Sequence, residues 1–595
     1  MIEGLRTMLL VATIGTVCLL SVRAQSPPVE QVTVTAHASP VPFKSLARTI
    51  EVISRKQIES LPVESLSDLI RYASSVDVSA RGPFGIQSDL SIRGSTFDQV
   101  VVLVDGQRLN DPQTGHHNAD IPVSLADIDR VEILSGSGSS LHGADAVGGV
   151  INIVTRKERR RNSARWSAGQ YGLLTGSGTL DLSKTGILDS LSLWGNRSSG
   201  FAFDRDFRTG GLRLQGRLGS SGRFQLAHSS KRFGADGFYG PSPSREWTNQ
   251  TLVSAQTPVA AGEDWTLSAD AAFRTHGDHF LWDVARPGFA ENFHRDYSLD
   301  AKMGLDWHLT EGTRISLGGT TGGDWIRSNN LGDHQYRRVG LYTEVEKRLG
   351  NRILVYPAVR YDGSSAFAGS WSPSLSGLIW IAPSLKLRAF AGRAFRIPTF
   401  TERFYSDPNH LADSGLGPER SIGLEAGFDW LPSALWQAGL TLFSRHLSDA
   451  IDWVRVDDSE RWRTANIRRL RTDGGEISIR RQLSDSAWLG LGYTYLDVRA
   501  GTLDLQSKYV LRNARHSMTA TAAFALLPGL TVGHHLSFRR RCDGRSYWAA
   551  DLRLTQRLSR HTRLYAEVTN YLNQEYEEVP GVATPPRWFR FGLEF

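Results

Sequence analysis

The chain has 595 residues, 58 of them glycine, with 10% aromatic and 22% charged residues. Acidic and basic residues nearly balance, 61 against 68, and a net charge of +7 spread over this length excludes a nucleic-acid footprint. A mean hydropathy of −0.28 excludes a body of membrane-spanning helices, and only two cysteines, Cys18 and Cys542, exclude a disulfide framework. A glycine- and aromatic-rich chain with dispersed charge points to a large β architecture.

Residues 1–24 read as an export signal. Arg6 supplies a thin basic start, Met8 to Leu20 is almost entirely apolar, and Val22-Arg23-Ala24 offers small residues at a cleavage site. The mature chain is expected to begin at Gln25, which leaves Cys542 as its one cysteine. Residues 25–42 hold a short β-prone segment, Glu30-Gln31-Val32-Thr33-Val34-Thr35-Ala36, followed by the proline-containing stretch Ser39-Pro40-Val41-Pro42. Residues 43–157 mix helix-like and strand-like pieces. Pro62 to Ile70 carries proline at a helix start and apolar residues at helical spacing. Val100 to Val104 is a continuous apolar run ended by Asp105-Gly106, a buried strand and then a turn, and Val150 to Val154 repeats the pattern. A small α+β domain is expected here.

From residue 158 to 595 the pattern has period two. Leu212, Leu214, Gly216 and Leu218 alternate with Arg213, Gln215 and Arg217. Phe589, Phe591, Leu593 and Phe595 alternate with Trp588, Arg590, Gly592 and Glu594. One apolar and one polar face repeated over this length, behind an export signal, favour a transmembrane β-barrel over a soluble sandwich or propeller. Ten short breaks read as tight hairpins, from Thr185-Gly186 through Gly350-Asn351 and Pro432-Ser433 to Ser559-Arg560. A barrel entered and left on the same side needs one fewer such turn than half its strands. Ten turns therefore predict 22 antiparallel strands, a lumen too wide for side chains to fill, with the α+β domain as the plug.

Several motifs carry a resemblance to a known family. They are Ser91-Ile92-Arg93-Gly94, Val101 to Gly106, Val131-Glu132-Ile133-Leu134-Ser135-Gly136 and Ala146 to Ile153 in the plug. In the barrel they are Ala394 to Glu402, Leu416-Gly417-Pro418-Glu419, Val568 to Asn573 and the terminal Phe595. On these, the sequence resembles the TonB-dependent outer-membrane receptors over essentially the whole mature chain. Ser135-Gly136-Ser137-Gly138 departs from the family's usual Arg-Gly-Pro. The resemblance implies that Glu30, Gln31, Val32, Thr33, Val34, Thr35 and Ala36 form a TonB box, whose partner is TonB of the inner-membrane energising complex. It implies a monomer in the outer-membrane lipid that imports a large scarce ligand and is not an enzyme. The plug motifs look most like cobalamin transporters, with ferric siderophore receptors next. A passive porin would need neither plug nor box, and no catalytic constellation stands out.

Within the plug motifs, Arg93, Gly94, Asp105, Gly106 and Glu132 are singled out. Arg93, Asp105 and Glu132 are expected to hold the plug through buried ion pairs, since charge inside a lumen is costly unless paired. No resident cofactor is expected beyond a structural calcium. Cobalamin transporters bind calcium through aspartates of the second and third outer loops, where Asp204, Asp206 and Asp236 fall by the turn count, and carboxylate oxygens suit that ion. His116-His117, with no spaced ligand around it, is read as a solvated loop. Arg539-Arg540-Arg541 is read as an outer rim, solvated or touching lipid phosphates.

Overall fold

The period-two stretch closes into a barrel of 22 antiparallel strands, the first Ser163–Gly169 and the last Trp588–Glu594. Those two strands pair directly, with Trp166 opposite Leu593 and Ala168 opposite Phe591, so the sheet has no free edge. The computed structural model describes residues 33–34, 36–157, 162–500, 505–510 and 512–595; the export signal and Glu30, Gln31, Val32 and Thr35 lie outside them. All ten expected hairpins fall at, or one or two residues from, the short turns that join strands at one end. Phe589, Phe591 and Phe595 are exposed on the outer wall with Leu593 on the same face, while Trp588 and Arg590 are buried inside. Alternation alone produces this sorting, because successive side chains of a strand point to opposite faces.

The plug is a five-stranded sheet inside the lumen, in the order Ile50–Ser54, Ile128–Ser135, Gly149–Thr155, Val100–Val104, Gln107–Arg108. Val100–Val104 runs parallel to Gly149–Thr155 and is buried at every residue, as a strand covered on both faces must be. Two short helices, Arg55–Ser60 and Leu66–Ile70, pack on the sheet. The second starts at Ser65, whose hydroxyl accepts from the Asp68 N–H at 3.2 Å while the Asp68 carboxylate accepts from the Ser65 N–H at 3.0 Å. Leu66, Leu69 and Ile70 from this helix enter one apolar cluster with Val100, Val102, Ile151 and Ile153.

That cluster does not stop at the plug surface. Ala227, Leu252, Ala272, Trp488 and Ala523 of the barrel wall belong to it. Small wall residues let the plug seat closely. At Gly533 the approach is extreme, since a Cβ there would lie 1.8 Å from the carbonyl oxygen of Ser60. At the end where the short turns lie, Thr33–Val34 pairs with Val41–Pro42, and Ala36, His37 and Ser39 are buried. The Glu344 carboxylate accepts from the Ala38 N–H at 2.8 Å and lies 3.1 Å from His37 Nδ1. The stretch that follows the expected TonB box is thus held against the wall inside the barrel mouth.

Gly533→Val is expected to push the Arg55–Ser60 helix off the wall while the barrel still forms. Planar-bilayer recordings should then show open-channel events that the wild type lacks. A variant as tight as wild type would mean that the plug does not depend on this contact.

Candidate functional site

The plug is tied to the wall by charge. Arg93 (φ +51°) and Gly94 (φ +67°) form a tight turn after the strand Ser88–Ile92, which aims the Arg93 side chain sideways. Its Nε and Nη2 donate to the two oxygens of Glu476 at 2.8 and 2.6 Å, and Nη1 lies 3.2 Å from Glu425. The guanidinium also lies 4.1 Å over the Phe443 ring. All three charged side chains are under a tenth exposed. Gly136 (φ +83°) completes the pocket, since a Cβ there would sit 2.1 Å from a Glu425 oxygen. This explains glycine at a position where the neighbouring sequence departs from the family pattern.

Asp105 occupies a left-handed turn (φ +51°) with Gly106. It accepts from the Thr155 N–H at 2.8 Å and hydroxyl at 2.6 Å, and Arg213 of the wall lies 3.7 Å away. Glu132 accepts from Arg130 Nε at 2.8 Å, within the plug. Of the three expected anchors, then, Arg93 bonds the wall directly, Asp105 approaches it through Arg213, and Glu132 pairs with its own sheet. The arginine run is a correction. Arg539 and Arg541 point inward, where Arg539 donates to the Val76 carbonyl at 3.3 Å and Arg541 lies 3.2 Å from Asp77. Only Arg540 is exposed, because strand alternation splits a three-residue run between two faces.

Above the plug, on the side of the long loops, lies an open cleft. Its floor is the plug segment Gln113 to His117; its walls include Phe280, Tyr405, Trp453 and Tyr509. His116-His117 is the second correction, for His117 is buried and His116 largely so. His116 stacks on Phe97 at 4.2 Å and its Nδ1 lies 2.6 Å from Asp89, itself paired with Arg81 at 2.8 Å. Burial opposes ionisation of Asp89, yet Arg81 and His116 hold it at about 2. His117 is 3% exposed, with Nε2 3.4 Å from Asp278 and its ring 4.6 Å from that of His276. Burial and His276 disfavour its charge, but the carboxylates around it, Asp278 first, raise it to about 9. In the loop above, Lys508 Nζ lies 2.8 Å from His410 Nε2, and burial lowers this lysine to about 8. Sequence separation hid this assembly, since Asp278 lies far from His117 in the chain.

Asp204 and Asp206 stand in the second outer loop and Asp236 in the third, as the turn count predicts. Arg245 binds both: Asp204 accepts from it at 3.0 Å, and Asp206 is a second, shorter partner. Burial, with help from Asp206 and Asp236, raises the Asp204 carboxyl. Beside them, Phe207, Phe233 and Phe238 form an apolar cluster with Trp588.

A closed barrel, a lumen-filling plug and an outward cleft define a plugged outer-membrane receptor. The family models agree: "TonB dependent receptor-like, beta-barrel" matches residues 148–571 and "TonB-dependent Receptor Plug Domain" matches residues 42–150. The chain belongs to the TonB-dependent receptors, a family of transporters and receptors in the cell outer membrane. It is 24% identical over 540 residues to the vitamin B12 transporter BtuB of Photobacterium profundum, covering 81% of this chain and 80% of that one. It is 22% identical over 593 residues to BtuB of Vibrio vulnificus, covering 92% and 91%. Among solved structures, the siderophore receptor PirA of Acinetobacter baumannii superposes with a TM-score of 0.74 at 15% identity, over 93% of this chain and 98% of that one.

Arg93→Ala strands Glu425 and Glu476 as buried charges without their main partner, at a cost of about 3–5 kcal/mol to plug seating. The urea concentration at which conductance appears in a bilayer should fall. Adding Glu425→Gln and Glu476→Gln to Arg93→Met should recover part of the loss. An unchanged urea threshold in Arg93→Ala would show that these pairs do not hold the plug.

Proposed function

We propose that the protein is a TonB-energised importer that captures a large scarce ligand at the outward cleft, with cobalamin as first candidate and a ferric siderophore as second. The observation that carries this reading is the Arg93 pairing with Glu476 and Glu425 across the plug–wall boundary. A passive porin needs an open lumen, whereas here diffusion would have to break a buried, bidentate ion pair. The outer membrane holds no ATP and no ion gradient, so work must arrive mechanically from the inner membrane. The expected TonB box, of which Thr33–Val34 is a strand, would pair with TonB as an added strand, a geometry in which backbone hydrogen bonds bear load. Its Thr33–Val34 part pairs with Val41–Pro42, and Ala38 is held by Glu344, so these contacts must be released before it is pulled. Traction then reaches the strand Ile50–Ser54, at the edge of the plug sheet, first.

Cobalamin stands first because both relatives named above are vitamin B12 transporters. The siderophore reading draws on the aromatic walls of the cleft, Phe97, Tyr239, Tyr405, Trp453 and Tyr509, which offer flat apolar contact to aryl groups as well as to a corrin. Calcium held by Asp204, Asp206 and Asp236 belongs to the cobalamin reading, and it requires Arg245 to leave the two carboxylates it binds.

Proline at Val34 removes a backbone donor and should block strand pairing. Cells carrying Val34→Pro should bind radiolabelled cyanocobalamin at the surface yet fail to accumulate it; normal accumulation would refute the coupling. Calorimetry of the wild type with cyanocobalamin should show binding strengthened by calcium. No binding in either condition, beside tight binding of a ferric siderophore, would replace cobalamin by the second candidate.

A further inference from the structure

We propose that the floor of the outward cleft is a binding site for one divalent transition-metal ion, held between the plug and three neighbouring barrel strands by His117, Glu246, Asp278 and His294. This goes beyond the import reading and does not depend on which organic ligand is carried. His117 comes from the plug. Glu246, Asp278 and His294 come from the strands Arg245–Ala261, Trp265–Leu281 and Glu291–Thr310, which pair in that order. Asp278 stands directly opposite His294, and Glu246 opposite Phe280, two residues further along the same face. Glu246, Asp278 and His294 therefore face the lumen side by side, and His117 reaches them from the plug.

Three of the four donors lie within reach of one ion. One donor atom each from His117, Glu246 and Asp278 lies within 4.8 Å of the other two. His117 Nε2 and an Asp278 oxygen are 3.4 Å apart, near the roughly 3.3 Å edge of a tetrahedron with metal–ligand bonds of about 2.0 Å. Two imidazoles with two carboxylates form a mixed nitrogen and oxygen set suited to zinc and its neighbours rather than to calcium.

Two further observations separate this group from an ordinary plug-holding ion network. The first is unmet polar capacity. The second oxygen of Asp278, Nδ1 of His294 and Oε1 of Gln113 are buried without a hydrogen-bond partner, and all three residues line the cleft. Such groups are expensive to leave unpaired. Gln113 donates its amide N–H to the other Asp278 oxygen at 2.8 Å, which orients that carboxylate as supporting contacts around metal ligands do. The second is charge. In the adjoining cluster, Asp120 is paired with Lys231, and Asp111 and Asp296 with Arg274. Among the described residues, neither Glu246 nor Asp278 has a lysine or arginine partner; Glu246 meets only the Tyr239 hydroxyl, at 3.3 Å. The permanent cations stop one layer short of this group, and Asp278 faces instead the imidazole of His117, whose proton a dication can displace.

The full-length protein in detergent, stripped with a chelator, is titrated with zinc chloride by calorimetry. The expected result is saturable binding of one zinc per chain. Asp278→Asn with His294→Ala should weaken it at least about tenfold, while His561→Ala, an exposed histidine elsewhere, should leave it unchanged. Unchanged heat-modifiable mobility on gels shows that each variant is folded. No saturable binding by the wild type, or binding equally strong in the double variant, overturns the site. The import reading is tested separately, since Val34→Pro should bind zinc as the wild type does.

Discussion

Charge cannot be left unpaired inside a closed, lipid-embedded cylinder, and that constraint shapes the rest of this molecule. The wall must turn apolar side chains outward, so polar ones face the lumen on every strand. Arg213, Arg274, Arg396 and Arg553 are among the largest fully buried side chains. Each needs an acid or a carbonyl, and the plug supplies several of these. Arg274 reaches Asp111, Arg541 reaches Asp77, and in the other direction Arg93 reaches Glu425 and Glu476. The plug is therefore part of the electrostatic completion of the barrel.

Such contacts are strong while made and geometrically strict. An apolar seal would loosen gradually, whereas a bidentate guanidinium–carboxylate pair is lost over a short displacement. A plug held this way resists diffusion. The apolar cluster that spans from Leu69 and Val102 to Ala227 and Ala272 works alongside it by keeping water out of the boundary, which strengthens each pair.

Much of the architecture is readable from the chain. Strand alternation and the ten tight turns give the count of 22 strands, and the parity of Phe589 to Phe595 gives the outward face. The buried strand at Val100 follows from local pattern, and a helix forms within Pro62 to Ile70, but it starts after the Ser65 cap and not at the proline. What resists reading is convergence. His116-His117 looks like a polar loop because its partners are distant in the chain: Asp89 is brought in by the fold of the plug and Asp278 by the barrel that closes around it. Arg539 and Arg541 look like a basic rim because a run of identical residues conceals which face each takes. The aspartates of the outer loops fall where the turn count puts them, yet the sequence does not announce Arg245 between two of them.

The proposed opening by traction on the N-terminus requires the plug to yield before the barrel and in order along the chain. Single-molecule force spectroscopy on the protein in a lipid bilayer, pulled from its N-terminus, tests this directly. Expected is a first extension that ends where the chain reaches Arg93, followed by a force barrier that Arg93→Ala lowers, with the barrel intact throughout. Barrel strands unravelling first, or the whole plug leaving as one rigid body, would contradict it.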